Sequence, residues 1–167
     1  MNKFYISISL LLYLGGQYIM ASDILNIPDH EVLVNPLPLP YERREIKETQ
    51  VLDFINQSRI GNQSIIIFGA NWCPDCRILQ GTLSLPTVQS FIEDNFSLIH
   101  IDVGKYDINM NLLELLGIPR QEGIPRVVIF GEKDNILNLD STDKWRSARQ
   151  NKSQEIFEYF QSYVLRK

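Results

Sequence analysis

Apolar positions in the first two thirds of the chain follow two different periods. Between residues 42 and 58 they recur at helical spacing among charges, which predicts an amphipathic first helix. Residues 64–70 form a continuous β-branched and aromatic run, the pattern of a strand that is buried on both faces. Helical patterns then cover residues 73–83 and 87–95, and residues 97–103 predict the next buried strand.

The last third of the chain predicts a short helix, two strands and a final helix. The short helix covers residues 109–116, and the strands cover residues 126–130 and 136–140. A short loop containing Gly131 joins the two strands and suits a hairpin. Residues 152–166 place apolar side chains on one helical face. Strands that alternate with helices and end in a hairpin predict an α/β fold, with a central mixed β-sheet flanked by helices on both faces.

Residues 1–21 have the layout of a secretory signal peptide. Lys3 supplies a positive end, and residues 4–14 form an apolar segment too short to span a bilayer comfortably. Small residues follow at positions 21 and 22, so we expect cleavage after Ala21 and a location outside the cytoplasm. Ile19 is larger than the residue usual at the third position before a cut, so an uncleaved membrane anchor stays open as the alternative.

Residues 22–41 are polar and carry four prolines, which remove backbone donors and favour extended conformations. This stretch predicts an arm that lies on the following domain, or a tether.

The composition is that of one globular domain, with 44% hydrophobic and 22% charged residues in a chain of 167. The formal net charge is -4, and acids and bases are interspersed, so no basic stripe offers itself to nucleic acid or to anionic lipid. The sequence contains no flavin or nicotinamide motif, so we expect no such cofactor.

The two cysteines of the chain, Cys73 and Cys76, are separated by two residues where the predicted strand passes into the predicted helix. Disulfide exchange needs a thiolate, a second thiol nearby and access for a partner's sulfur. Unpaired backbone N–H groups and the helix dipole favour an anion at a helix N-terminus, so Cys73 is expected to be the exposed, attacking thiol. Cys76, one turn inside the helix, is expected to be the more buried thiol that resolves the mixed disulfide.

Two other interpretations of this cysteine pair are structural. A closed zinc site needs four ligands, and the remaining candidates, His30 and His100, have no partner at ligand spacing, so we expect no metal. A disulfide across two intervening residues restrains the unfolded chain very little, which makes a stabilising cross-link a poor explanation. The strand-to-helix setting favours a redox centre.

The two residues between the cysteines bias the redox equilibrium. Pro74 stiffens the turn, and Asp75 places a carboxylate near Cys73, where like charge disfavours the thiolate. A less stable thiolate makes the disulfide less oxidising. We therefore expect a reductant or a mild exchanger, with Arg77 as a partial counter-charge.

Three segments carry a family resemblance: the strand at 65–70, the run Trp72-Cys73-Pro74-Asp75-Cys76, and Gly123-Ile124-Pro125 before a strand. Together they resemble the thioredoxin superfamily, and residues 68–77 with 101–104 look more narrowly like exported bacterial thioredoxin-like proteins. The resemblance spans roughly residues 46–166. It implies a thioredoxin fold over residues 42–167, Cys73 as the attacking thiol, Cys76 as the resolving one, and Trp72 as a shield on one side of the site. It also implies a bacterial periplasm as the compartment.

The resemblance further implies a cis proline that faces the cysteines. Gly-Ile-Pro-Arg occurs twice, at residues 117–120 and 123–126, and Pro119 lies nearer the family's usual distance from the cysteines. We choose Pro125 because it directly opens the predicted strand at 126–130; the other interpretation is an ordinary trans proline. By the same resemblance, the Ile124 peptide would hydrogen-bond an extended substrate beside the sulfurs.

One position departs from the family. Thioredoxins carry a buried aspartate six residues before the first cysteine, and Ile67 stands there in this chain. Proton transfer from the resolving thiol must therefore use water or another group.

The sequence as a whole predicts an extracytoplasmic thiol–disulfide oxidoreductase that acts on protein disulfides or thiols. A membrane-bound electron donor would recharge it, because the chain carries no redox cofactor motif of its own. The alternative is a binding module or holdase that uses the Pro125 groove to hold a partner.

Overall fold

The computed structural model describes residues 24–58, 63–120, 122–131 and 135–164. The predicted signal peptide, residues 1–21, lies outside the described residues.

A mixed three-stranded sheet forms the centre of the fold. Strand β1 (Gln63–Gly69) lies in the middle, with β2 (Phe96–Asp102) parallel to it on one side and β3 (Arg126–Phe130) antiparallel on the other. Every residue of β1 after Gln63 is buried, as the continuous apolar run predicted for a strand covered on both faces. The predicted α/β fold with a mixed sheet is confirmed.

Helices flank the sheet and supply several of the buried aromatic side chains. In the described residues the α-helices are α1 (Glu48–Ser58), α2 (Pro74–Leu83), α3 (Pro86–Asn95), α4 (Asn111–Leu115) and α5 (Ser153–Ser162), and 3₁₀ helices cover Leu139–Ser141 and Lys144–Gln150. The largest fully buried side chains include Phe68 of β1, Trp145 of the second 3₁₀ helix, and Phe157 and Phe160 of α5. The final helix therefore closes the core over the sheet, and it ends at Ser162 rather than at the predicted residue 166.

The first helix begins six residues later than the periodicity predicted, at Glu48 rather than residue 42. The side chain of Asn109 holds the preceding segment by accepting a hydrogen bond from the Ile46 amide (2.9 Å) and donating one to the Arg44 carbonyl (2.8 Å). Backbone groups that are bonded to a side chain in this way are not free to form helical bonds.

The predicted strand at residues 136–140 is wrong beyond its first residue. Ile136 forms a single antiparallel bridge with the end of β3, and a turn and a 3₁₀ helix follow. The buried side chain of Asn138 replaces the strand: it accepts a hydrogen bond from the Ile129 amide (2.9 Å) and donates one to the Val127 carbonyl (2.8 Å). The amide group thus satisfies the edge of β3 without an extended partner.

The described part of the N-terminal segment lies on the domain as an arm. The amides of Leu25 and Ile27 donate hydrogen bonds to two glutamine side chains of α5. The Glu31 carboxylate accepts hydrogen bonds from the amide and the hydroxyl of Thr87 at the start of α3. The arm ends at Tyr41, whose side chain is 4% exposed and belongs to the hydrophobic core. Among the described helices, none is long and apolar enough to cross a membrane.

Candidate active site

Cys73 caps the N-terminus of α2. Its backbone is extended (φ -81°, ψ 117°), and Pro74 occupies the first helical position, where its missing N–H removes no helical bond. The Cys73 Sγ accepts a hydrogen bond from the Cys76 amide at 3.2 Å, which is the role that a serine or aspartate oxygen plays at other helix starts. The sulfur therefore sits where the helix dipole and a donated N–H both favour negative charge.

The two thiols differ in acidity. A hydrogen bond from the Cys76 thiol is the main cause that lowers the pKa of Cys73; the Cys76 amide adds to it, while burial opposes it. Burial is the main cause that raises the pKa of Cys76, followed by its hydrogen bond and charge interaction with Cys73. The pKa of Cys73 is thus lowered and that of Cys76 is raised. The predicted roles of the two cysteines as attacking and resolving thiols stay a prediction.

The expectation that Cys73 is exposed is wrong. Cys73 is 4% exposed and Cys76 is fully buried. The loop before β3 accounts for this, because the carbonyl oxygen of Ile124 lies 3.6 Å from the Cys73 Sγ and accepts a hydrogen bond from it. A partner's sulfur must therefore approach along this loop.

The loop that faces the cysteines contains a cis peptide bond between Ile124 and Pro125. Gly123 precedes it with φ of +112°, a conformation that residues with a side chain rarely adopt. The Gly123 carbonyl accepts a hydrogen bond from Arg126 Nε (3.1 Å), and its amide donates to the Tyr106 hydroxyl (3.2 Å). The loop is thus held from both sides, while the substrate-binding role of Ile124 and Pro125 stays a prediction.

Trp72 flanks the cysteines on the surface. Its side chain is 52% exposed, yet its indole N–H donates to the Gly104 carbonyl at 2.7 Å and its ring packs edge-on against Tyr106. The indole is therefore an exposed apolar surface that is fixed in orientation next to Cys73 in the chain.

Asp75 is buried, with 5% of its surface exposed. One carboxylate oxygen accepts a hydrogen bond from the Arg149 amide (2.9 Å), and the other lies 3.5 Å from Arg149 Nε. The predicted counter-charge, Arg77, instead donates to the Leu37 carbonyl of the arm. The carboxylate still raises the pKa of Cys73 by charge repulsion, although the bonds from Cys76 outweigh it.

Tyr41 is a site residue that the sequence analysis missed. Its hydroxyl lies over Gly69, and its ring packs edge-on against His100. Hydrogen bonding from this hydroxyl acts to lower the pKa of Cys76, against the larger effect of burial. The Asn71 side chain fixes the Tyr41 backbone: it accepts a hydrogen bond from the Tyr41 amide (3.1 Å) and donates one to the Tyr41 carbonyl (2.7 Å). A side-chain carbon on Gly69 would collide with the tyrosine ring and hydroxyl. A glycine inside a strand often marks such a close approach, so Gly69 was the available signal.

The two histidines lie outside any ligand cluster. His30 is exposed on the arm, and His100 is mostly buried on β2, where burial lowers its pKa to about 4. In the part of the chain that the structure describes, no group of three or more His, Cys, Asp or Glu side chains is placed to hold a metal ion. Ile67 is buried in β1, and its apolar side chain offers no acid to Cys76.

Comparison with known proteins gives a consistent picture. A sequence model of a family described as thioredoxin-like matches residues 61–131. The structure of a disulphide isomerase from Xylella fastidiosa Temecula1 is 31% identical, with a TM-score of 0.69, over 77% of this chain and 99% of that chain. The Trichomonas vaginalis thioredoxin is 21% identical, with a TM-score of 0.43, over 69% of this chain and 98% of that chain. No curated protein matches the chain. The thioredoxin-like fold and its pair of neighbouring cysteines support thiol–disulfide chemistry.

Replacing Asp75 with asparagine tests the influence of this carboxylate on the redox centre. Asparagine keeps an oxygen that can accept the Arg149 amide but removes the negative charge near Cys73. The Cys73 thiolate then becomes more stable, so we expect a lower Cys73 pKa and a reduction potential higher by roughly 10 to 30 mV.

The potential is measured by equilibration with glutathione buffers. Asp94→Asn, on the exposed face of α3, removes the same charge away from the site and should leave the potential unchanged. An unchanged potential and Cys73 pKa in Asp75→Asn would contradict the proposed role of the carboxylate.

Proposed function

Because this chain belongs to the thioredoxin superfamily, we propose that it is a thiol–disulfide oxidoreductase that acts on protein disulfides through Cys73 and Cys76. The observation that carries the proposal is the ordered pair of thiols at the start of α2. The Cys73 sulfur accepts a hydrogen bond from the Cys76 amide, and the pKa of Cys73 is lowered. Cys76 is fully buried. The chain's relative in Xylella is named as a disulphide isomerase, which fits the same chemistry.

The reaction takes place in two exchanges. The Cys73 thiolate attacks one sulfur of the substrate disulfide, a mixed disulfide forms, and the other substrate sulfur leaves with the electron pair and takes up a proton. Cys76 then loses its proton and attacks the Cys73 sulfur, which releases the second substrate thiol. Two electrons have passed from the dithiol to the substrate, and Cys73 and Cys76 end as a disulfide.

The surroundings of Cys73 suit an extended protein segment. The Ile124 carbonyl lies against the Cys73 sulfur. Trp72, the residue before Cys73, offers an exposed apolar face whose orientation is fixed by its hydrogen bond to Gly104. We propose that the substrate backbone pairs with the Ile124 peptide, as a strand added to an edge would. The bound segment would bring its disulfide to the otherwise covered sulfur.

The direction of net electron flow follows from the balance at Cys73. The buried carboxylate of Asp75 opposes the thiolate, although the hydrogen bonds from Cys76 favour it more strongly. A thiolate stabilised only in part gives a reductant or a mild exchanger rather than a strong oxidant. Reduction of substrates consumes the dithiol, so we propose that a membrane-bound electron donor restores it.

Two serine variants test the assigned roles. Cys73→Ser removes the attacking sulfur, so dithiol-dependent reduction of insulin should fall to the uncatalysed rate. Cys76→Ser keeps the attack but removes the resolving sulfur, so a mixed disulfide with the substrate should accumulate and be detectable by mass spectrometry. The replacement Cys→Ser changes one atom, which makes the two variants matched controls for each other.

The opposite result would favour the binding alternative. A wild-type chain that holds insulin without reducing it, together with a Cys73→Ser variant that holds it equally well, would exclude catalysis as the function.

We also propose that the protein works outside the cytoplasm, in a bacterial periplasm. The support is the charged and apolar layout of residues 1–21, followed by small residues at the expected cut. Expression of the full chain in a bacterium should yield a periplasmic product that begins at Ser22. The double variant Leu11→Arg, Leu12→Arg breaks the apolar segment and should stay unprocessed. A wild-type product that keeps Met1 in the cytosolic fraction would contradict export.

A further inference from the structure

The second exchange requires that Cys76 lose its proton in a buried, apolar setting. Burial raises the pKa of this thiol, because the low-dielectric surroundings disfavour the thiolate. Ile67, which stands where thioredoxins keep an acid, carries no polar atom on its side chain and is 1% exposed. The thiolate of Cys76 therefore needs some other group nearby that stabilises its charge.

The Tyr41 hydroxyl is such a group. The ring of Tyr41 lies over Gly69, on the same face of β1 as Ile67, because residues two apart in a strand share a face. Its backbone is fixed by the two hydrogen bonds with Asn71, only two residues before Cys73. The arm thus fills the space above a glycine and brings a polar atom to the face of β1 where Ile67 carries none. In support, hydrogen bonding from this hydroxyl acts to lower the pKa of Cys76.

The groups that face Tyr41 keep its hydroxyl protonated. Burial is the main cause that raises the pKa of Tyr41 well above its usual value, and the charges of Cys76, Cys73 and Asp102 act in the same direction. The remaining neighbour, His100, packs its ring edge-on at 5.3 Å between centroids, and burial keeps it neutral above about pH 4. A phenol that stays neutral can donate a hydrogen bond to a thiolate but is not a base for the thiol.

We propose that Tyr41 is the hydrogen-bond donor that stabilises the Cys76 thiolate while it attacks the mixed disulfide. This inference rests on the proposed function and adds the residue that assists its second step. The Cys76 proton ends on the leaving substrate thiolate, while the Tyr41 proton stays on the phenol and only its hydrogen bond strengthens. The Cys76 sulfur forms a bond to the Cys73 sulfur, and the bond between Cys73 and the substrate breaks.

The inference gives the arm a direct part in the chemistry. Residues 24–40 are hydrogen-bonded to α2, α3 and α5, and they lead the chain to Tyr41 at the end of the arm. The first exchange, at Cys73, does not use this hydroxyl. The two steps should therefore respond differently to its removal.

Tyr41→Phe removes the hydroxyl and keeps the ring over Gly69 and the backbone bonds to Asn71. The reduced protein is mixed with an aromatic disulfide that releases a coloured thiol at each exchange, so that the attack by Cys73 and the resolution by Cys76 appear as two phases. We expect an unchanged first phase and a second phase that is about 3- to 10-fold slower at neutral pH, because loss of a bond to a thiolate lowers its population while raising its nucleophilicity. The pH dependence of the second phase should shift to higher pH.

Tyr163→Phe is the matched control, because it removes the hydroxyl of a tyrosine whose ring packs on Tyr159 just beyond the end of α5. It should leave both phases as in the wild type. A second phase of unchanged rate and pH dependence in Tyr41→Phe would overturn the inference, and so would equal slowing of both phases. The small disulfide reports these phases even if insulin is not reduced, so failure of this inference and failure of the proposed function are separate results.

Discussion

The hydrogen bond from the Cys76 amide to the Cys73 sulfur is the contact on which the site depends. It exists because β1 ends at Gly69 and the chain turns directly into α2, so that the unpaired N–H groups of the first helical turn point at a sulfur rather than at an oxygen. The same geometry forces Cys76 one turn inward, where it is fully buried. The helix start thus brings the thiol and the amide of Cys76 to the Cys73 sulfur, where the thiol has the larger effect in lowering the pKa of Cys73. Burial of Cys76 at the same helix start raises the pKa of that thiol.

The charge of Asp75 opposes the lowering of the Cys73 pKa but does not cancel it. Asp75 lies buried in the first turn of α2 and is held by the backbone and side chain of Arg149. Separating a buried carboxylate from its charged partner costs free energy. The 3₁₀ helix that carries Arg149 is therefore part of the redox centre as well as of the core. The arm also contributes, because hydrogen bonding from the Tyr41 hydroxyl acts to lower the pKa of Cys76.

Periodicity predicted the parts of the fold that depend on local pattern. The buried run of β1 and the helix that begins after Cys73 follow from apolar spacing and from Pro74. The strand expected after β3 fails because the side chain of Asn138 satisfies the backbone in its place, and no spacing rule reports that bond. Long-range contacts were equally invisible: Arg149 lies 74 residues from Asp75, and Tyr41 precedes Cys76 by a whole helix and strand.

The difference in acidity between the two thiols is the central claim, and alkylation measures it most directly. The reduced protein is treated with iodoacetamide over a range of pH, and modification of each cysteine is followed by mass spectrometry. Cys73 should react with a midpoint below the value of about 8.5 for free cysteine, while Cys76 stays unmodified over the same range. Equal modification of both cysteines, with the midpoint of a free thiol, would contradict the account.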